Sequence, residues 1–228
     1  MPDWLTWLYD RAKALIIFAA AIMLVEAYQW PLLFAASASK QSLWRRDWFL
    51  LLTLGLTAIA VILLLRFVYR RQLKQHNPLN IHRQPMTSTR FFFMFFMYIL
   101  VLAVNVLVSR FGTPGNQQSL NQISSIWPYT LAIMAAVFAP FIEEFVFRGL
   151  FMNLFWNKDN SLNNVLAVVT SGLAFGWLHE PRISVFLLVY ASMGMALAAA
   201  YRYNRDLRYS IGLHMTINLI PAIAMLLR

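Results

Sequence analysis

Phe141-Ile142-Glu143-Glu144-Phe145-Val146-Phe147-Arg148-Gly149-Leu150 lies inside an apolar run reaching from about 127 to 155, and it places three charges where a membrane span ordinarily has none. On insertion scales each charged side chain near a bilayer centre costs roughly 2.5 to 3.5 kcal/mol, so such a cluster needs partners or a task. If the run is helical, residues four apart share a face while neighbours point about 100° apart. Glu144 can then pair with Arg148, and that pair reads first as a structural ion pair that locks the helix. Glu143 falls off the stripe and is left over, and an unpaired carboxylate in a dry site suits a general base.

Outward from this stretch, a bilayer core of about 30 Å needs about 20 apolar residues as helix. Seven runs of that size occur, near 14 to 36, 48 to 68, 91 to 109, 127 to 155, 162 to 179, 183 to 201 and 209 to 227. With 60% hydrophobic and 12% charged residues, the chain reads as an all-α polytopic membrane helical bundle of about seven spans. It contains no cysteine, which excludes disulfides and thiolate chemistry. The net charge of +10 does not point to nucleic acid, because the cations gather in short gaps between apolar runs, where they set orientation and meet lipid headgroups. The densest cluster, Arg66, Arg70, Arg71, Lys74, Arg83 and Arg90, marks a cytoplasmic loop. Alternation then puts the N-terminus and Arg202, Arg205 and Arg208 inside, and Lys40, Arg45, Arg46, Arg110, Arg182 and Arg228 outside. These features make a multi-pass cell-membrane protein with a cytoplasmic N-terminus. Glu26, Gln29 and Pro31 interrupt the first run, which favours a retained anchor over a cleaved signal peptide. Residues 112 to 125 read as an uncharged polar outer loop. They divide anchoring helices and loops at 1–126 from a core at 127–228, built on the last four spans.

Two further polar positions join the charged stretch. Phe175-Gly176-Trp177-Leu178-His179 ends the fifth run in an imidazole, and His214 with Asn218 places an imidazole and an amide on one face of the seventh. Together with Glu143, these groups can activate a water and stabilise an oxyanion, or supply three ligands to a divalent metal.

The ordered pattern Glu143-Glu144-x-x-x-Arg148, Phe175-x-x-x-His179 and His214-x-x-x-Asn218 resembles the three motifs of the CPBP family, the CAAX proteases and bacteriocin-processing or Abi intramembrane proteases. The resemblance covers roughly the last hundred residues. It implies an intramembrane endopeptidase acting on a membrane-associated peptide or protein, with roles in peptide maturation, peptide secretion or self-immunity. By the same resemblance Glu143 and His179 activate the attacking water, His214 and Asn218 bind the oxyanion, and Glu144 and Arg148 orient the others. It leaves two mechanisms open: a Zn²⁺ held by Glu143, His179 and His214, or a metal-free glutamate mechanism. Membrane lipid and the peptide substrate are the expected partners.

Two other classes compete. A non-catalytic immunity or scaffold protein could keep the polar cluster for helix association, and a proton-coupled transporter could use an intramembrane Glu and His chain. Against the transporter stands the lack of repeat symmetry. His179-Glu180 begins like a zinc-protease helix motif, but Pro181 ends the helix and the second histidine is missing. Gly172 to Gly176 and Ser192 to Gly194 read as close-packing positions, Glu26 and Asn105 as packing contacts, and Phe91 to Tyr98 as lipid-facing bulk. One geometric conflict stands. With straight alternating spans, His179 lies about 26 Å along its helix and His214 about 8 Å along its own, so the two meet only if the helices tilt around a buried wet cavity.

Overall fold

The computed structural model describes residues 3–227, so the terminal Arg228 counted above as an outer cation lies outside the described residues. Within them the chain forms helices α1 (Asp3–Ala27), α2 (Trp30–Ser37), α3 (Asp47–Gln75), α4 (Ser88–Ser109) and α5 (Gly115–Ser124), followed by α6 (Pro128–Phe155), α7 (Ser161–His179), α8 (Val185–Asn204) and α9 (Leu207–Leu226). Seven spans are long and apolar enough to cross a membrane: α1 with α2 as one interrupted span, then α3, α4, α6, α7, α8 and α9. No strand occurs among the described residues. The all-helical membrane bundle expected from the runs is therefore the fold.

The helix α6 is the axis of the bundle. Ile142, Glu143, Glu144, Phe145, Val146, Phe147, Arg148, Gly149 and Leu150 are consecutive and all buried, which a helix reaches only when neighbours surround it. Its start is tied to the first half of the chain. The Asp47 carboxylate, at the head of α3, accepts from the backbone N–H of Tyr129 (2.9 Å) and Thr130 (3.0 Å) and from the Thr130 hydroxyl. These are orphan donors of the first turn of α6, so one distant side chain caps the helix. The helix then widens twice into π-type turns, at Met134–Phe138 and Phe145–Met152.

The segment 112–125 differs from the loop expected of it. Residues Gly115–Ser124 form helix α5, whose Leu120 and Ile123 pack against the core. Its uncharged polar side chains are compatible with a short helix once an apolar edge has something to cover. Asn105 also departs from its expected packing role: it is exposed and donates to its own helix at Val101 O (2.9 Å). In the aromatic stripe of α4, Phe91, Phe92, Phe95 and Phe96 are exposed as expected, but Phe93, Met94 and Tyr98 turn toward the core.

The pair α7 and α8 meets at close-packed glycines, as small residues at a membrane helix crossing allow. A Cβ on Gly172 would lie 2.4 Å from Met195 Cγ and 2.8 Å from Met195 N, and one on Gly194 would lie 2.9 Å from Gly172 O. At the opposite end from α5, the segment between α3 and α4 is strapped to the start of α9. Asp206 accepts from Gln84 N (2.8 Å) and Arg208 Nη2 (2.6 Å), and the Tyr209 hydroxyl donates to Pro85 O (2.7 Å). Burial alone would raise the Asp206 carboxyl, but the hydrogen bonds from Arg208 and from the backbone outweigh it and hold it below the ordinary carboxylate range.

Two outcomes follow from this packing. Gly172→Ala should destabilise the bundle by about 1 to 3 kcal/mol through overpacking against backbone, whereas Gly212→Ala, with nothing within 4 Å, should not; thermal unfolding in detergent compares them. Because the folded Asp206 is depressed, its contribution is present above about pH 3.9 and is lost as pH falls through the folded value. Acidification below that point, or Asp206→Asn at neutral pH, should therefore increase protease nicking between Gln75 and Ser88.

Candidate active site

The second half of α6 turns its two glutamates to different partners, as helical spacing requires. Glu144 Oε1 accepts from Arg148 Nη1 at 2.9 Å, and both side chains are fully buried. The same oxygen accepts from His214 Nδ1–H on α9, also at 2.9 Å. Arg148 sends its other terminal nitrogen to Gly194 O on α8 (2.8 Å) and lies over the Phe175 ring of α7 at 4.8 Å. One ion pair thus joins α6, α7, α8 and α9.

Glu143, 8% exposed, faces the other way. Its Oε2 has no hydrogen-bond partner and lies 3.8 Å from His179 Nε2 and 3.8 Å from His214 Nε2. Each imidazole is held from behind, His214 by the Glu144 carboxylate and His179 by Phe175 O, which its Nδ1–H meets at 2.9 Å. Bonding Nδ1 in this way fixes the tautomer and aims Nε2 at Glu143. The His179 ring is also clamped between Phe175 (4.3 Å between centroids) and Tyr190 (5.1 Å).

Asn218 is positioned by a proline. In the first π-type turn Ala139 N–H bonds five residues back, to Met134 O, and the next residue, Pro140, has no N–H to give. Ala135 O is thereby left without a helical donor, and Asn218 Nδ2 supplies one at 2.9 Å. The amide keeps a second N–H for the cavity that it lines.

That cavity has a volume of about 300 Å³, and Glu143, His179, His214 and Asn218 all line it. The two histidines that straight spans would hold at different depths therefore meet. Phe175, one turn before His179, lies 5.7 Å from the His214 ring, so the spans must incline toward one another around this polar space. Sequence reasoning missed part of the wall. Tyr28, Asn116 and Tyr190 line the cavity, and so does Glu26, which is exposed rather than packed. The break signalled by Gln29 and Pro31 was the trace of the first group, and α5 brings in Asn116.

The three residues expected as metal ligands carry a zinc-type donor set of one carboxylate and two imidazoles. Among the described residues, however, no group of three or more His, Asp or Glu is drawn together closely enough to hold a metal ion. At 3.8 Å, Glu143 Oε2 and each Nε2 would have to close by a few tenths of an ångström to share one ion with bonds of about 2.0 to 2.2 Å.

Fold and site together define an all-helical membrane protein with a Glu–His–His–Asn cluster in a buried cavity. Residues 125–220 match the Rce1-like family, described as type II CAAX prenyl endopeptidase Rce1-like, and they hold all three motifs, so the family resemblance of those motifs is borne out over that stretch. Relatives include UPF0177 protein YvdC of Lactococcus lactis subsp. lactis (strain IL1403), 28% identical over 130 residues, 57% of this chain and 48% of that protein. UPF0177 protein YaiH of the same strain is 31% identical over 123 residues, 53% of this chain and 49% of its own length. The UPF0177 protein in the abiGi 5′ region of Lactococcus lactis subsp. cremoris is 32% identical over 123 residues, 53% of this chain and 50% of its own. The chain thus spans about half the length of the curated relatives it matches. No solved structure matches it.

Removing Arg148 tests the ion pair. Arg148→Met should cost about 3 to 5 kcal/mol, because it leaves Glu144 buried without its cation. Arg148→Met with Glu144→Gln should recover a large part of that loss, as read by unfolding in detergent.

Proposed function

We propose that the protein is an intramembrane endopeptidase in which Glu143 and two histidines activate a water against a peptide carbonyl. One observation carries the reading: a buried, unpartnered carboxylate oxygen stands 3.8 Å from each of two oriented Nε2 atoms inside a cavity. That distance is too long for a direct hydrogen bond and suits groups that share a water between them.

In this mechanism Glu143, assisted by His179, takes a proton from the water as its oxygen bonds to the scissile carbonyl carbon. The negative charge moves to the carbonyl oxygen, which receives the second N–H of Asn218 and the Nε2–H of a His214 ring protonated on both nitrogens before the attack. Glu144 supports the positive charge that the His214 ring carries while doing so, much as a triad carboxylate supports its histidine. Collapse breaks the C–N bond, and the proton held by Glu143 passes to the leaving nitrogen. A zinc ion held by Glu143, His179 and His214 would add Lewis-acid polarisation of the water or the carbonyl. The proposed substrate is a membrane-associated peptide or protein, with the chemistry in 127–228 and the first 126 residues as anchor and cavity wall.

The cavity is walled by the ends of α1, α7 and α9, the start of α8 and α5, which lie at the opposite end of the bundle from the strapped, arginine-rich segment between α3 and α4. With that basic segment and the N-terminus in the cytoplasm, the site opens toward the outer face.

Glu143→Gln should lower peptide cleavage by purified protein by roughly 10² to 10⁴-fold with folding unchanged. Asn218→Ala should lower it by roughly 10² to 10³-fold. Full activity in Glu143→Gln would sink the peptidase reading. Cleavage lost to a chelator and restored by Zn²⁺ would assign the metal route, and cleavage indifferent to chelation the glutamate route. The absence of cysteine allows a clean topology test. An impermeant maleimide added to intact cells should label Ser119→Cys on α5 and spare Ser88→Cys; the reverse pattern would overturn the orientation.

A further inference from the structure

The span formed by α1 and α2 is interrupted at Tyr28 and Gln29, because Pro31 offers no N–H to the carbonyl four residues before it. Side chains close the gap: Gln29 Nε2 donates to Val25 O at 3.0 Å, and the Thr57 hydroxyl of α3 donates to Tyr28 O at 2.8 Å. Irregular backbone at membrane depth is tolerated where it borders a polar cavity, and this break borders the one that holds Glu143. It delivers Glu26, Tyr28 and Gln29 to the cavity wall.

The wall carries two carboxylates and two imidazoles but no side chain with a permanent positive charge. Glu26 and Glu143 line the cavity, and no lysine or arginine does. Arg148, the cation behind it, is already engaged by Glu144 and by Gly194 O. The Glu26 carboxylate has no ion-pair or hydrogen-bond partner among the described residues, and it lines the same cavity as His179 and Tyr28. Tyr28 is 2% exposed, yet its hydroxyl also lacks a partner among the described residues. The hydroxyl is thus free to accept a bond from within the cavity, and two carboxylates lining one cavity repel each other less when a cation enters.

We propose that Glu26 and Tyr28 form the subsite for a cationic group of the peptide substrate, a lysine or arginine side chain or a free N-terminal ammonium near the scissile bond. The inference rests on the peptidase reading of the same cavity. The carboxylate receives the cation's N–H groups, the Tyr28 oxygen accepts another, and the bound cation brings the neighbouring carbonyl to Glu143. Glu26 is then a specificity residue that discriminates by charge, with Gln29 and Asn116 as uncharged neighbours that do not compete for the cation.

The test uses the full chain in detergent and internally quenched peptides that are identical except for Lys, Gln or Glu at one position stepped along the sequence, each with a free or acetylated N-terminus. Lys should be favoured over Gln roughly fivefold in kcat/KM, carried in KM, in the range of a partly exposed ion pair. Glu26→Gln should erase the preference, and Glu26→Lys should invert it in favour of the Glu peptide. Dependence on the Lys position identifies a side-chain ligand, and loss on acetylation identifies the terminal ammonium. Equal use of the three peptides, or a preference that survives Glu26→Gln, overturns the subsite while leaving the peptidase standing. Fluorescence anisotropy of the same peptides on Glu143→Gln reads the preference without turnover. Charge-selective binding through Glu26 by a wild-type protein that cleaves none of them would keep the subsite and refute the peptidase.

Discussion

The Glu144 carboxylate is the point on which the rest of the site hangs. Its Oε1 takes Arg148 from its own helix and His214 from α9, and Arg148 in turn reaches Gly194 O on α8 and the Phe175 ring of α7. A single ionised group in a dry bundle is untenable, so each of these contacts is conditional on the others. The same bond that satisfies Glu144 turns the His214 ring so that Nε2 faces Glu143. Stability and orientation are therefore one interaction seen from two sides, and the glutamate that turns away from the Glu143 oxygen decides which way the His214 ring faces.

The helix α6 adds a second constraint through its irregular turns. A regular helix would satisfy Ala135 O internally and leave Asn218 nothing to hold. The wide turn at Met134–Phe138, followed by Pro140, frees that carbonyl, and Asn218 answers it. The glycines at the crossing of α7 and α8 work in the same direction. They bring the two helices close enough for Tyr190 to stack on the His179 ring, whose Nδ1 is held by Phe175 O one turn earlier. Backbone defects and missing side chains thus position the functional groups as much as the functional groups themselves do.

Much of this was legible in the residues. Apolar runs of bilayer length define the spans, because in lipid only a helix satisfies its own backbone, and the seven runs correspond to seven spans. The division of labour between Glu143 and Glu144 follows from the 100° step of a helix, and His214 with Asn218 from the four-residue repeat. The helical character of 115–124 was less legible, since its side chains are polar and carry no strong period. The wall formed by Glu26 and Tyr28 was not legible either, because residues more than a hundred positions from Glu143 reach it only through packing.

The sequence by itself determined the number of spans, the ion pair, the leftover carboxylate and the set of polar residues available to meet it, since each depends on composition or on spacing along one helix. Only the tertiary structure decided that His179 and His214 reach the same oxygen, that Glu144 serves His214 as well as Arg148, and that the first span contributes to the cavity. The reason is physical. Spacing along a helix fixes which face a residue occupies, but its depth relative to another span is set by tilt, crossing and wide turns, and these are properties of several helices packed together.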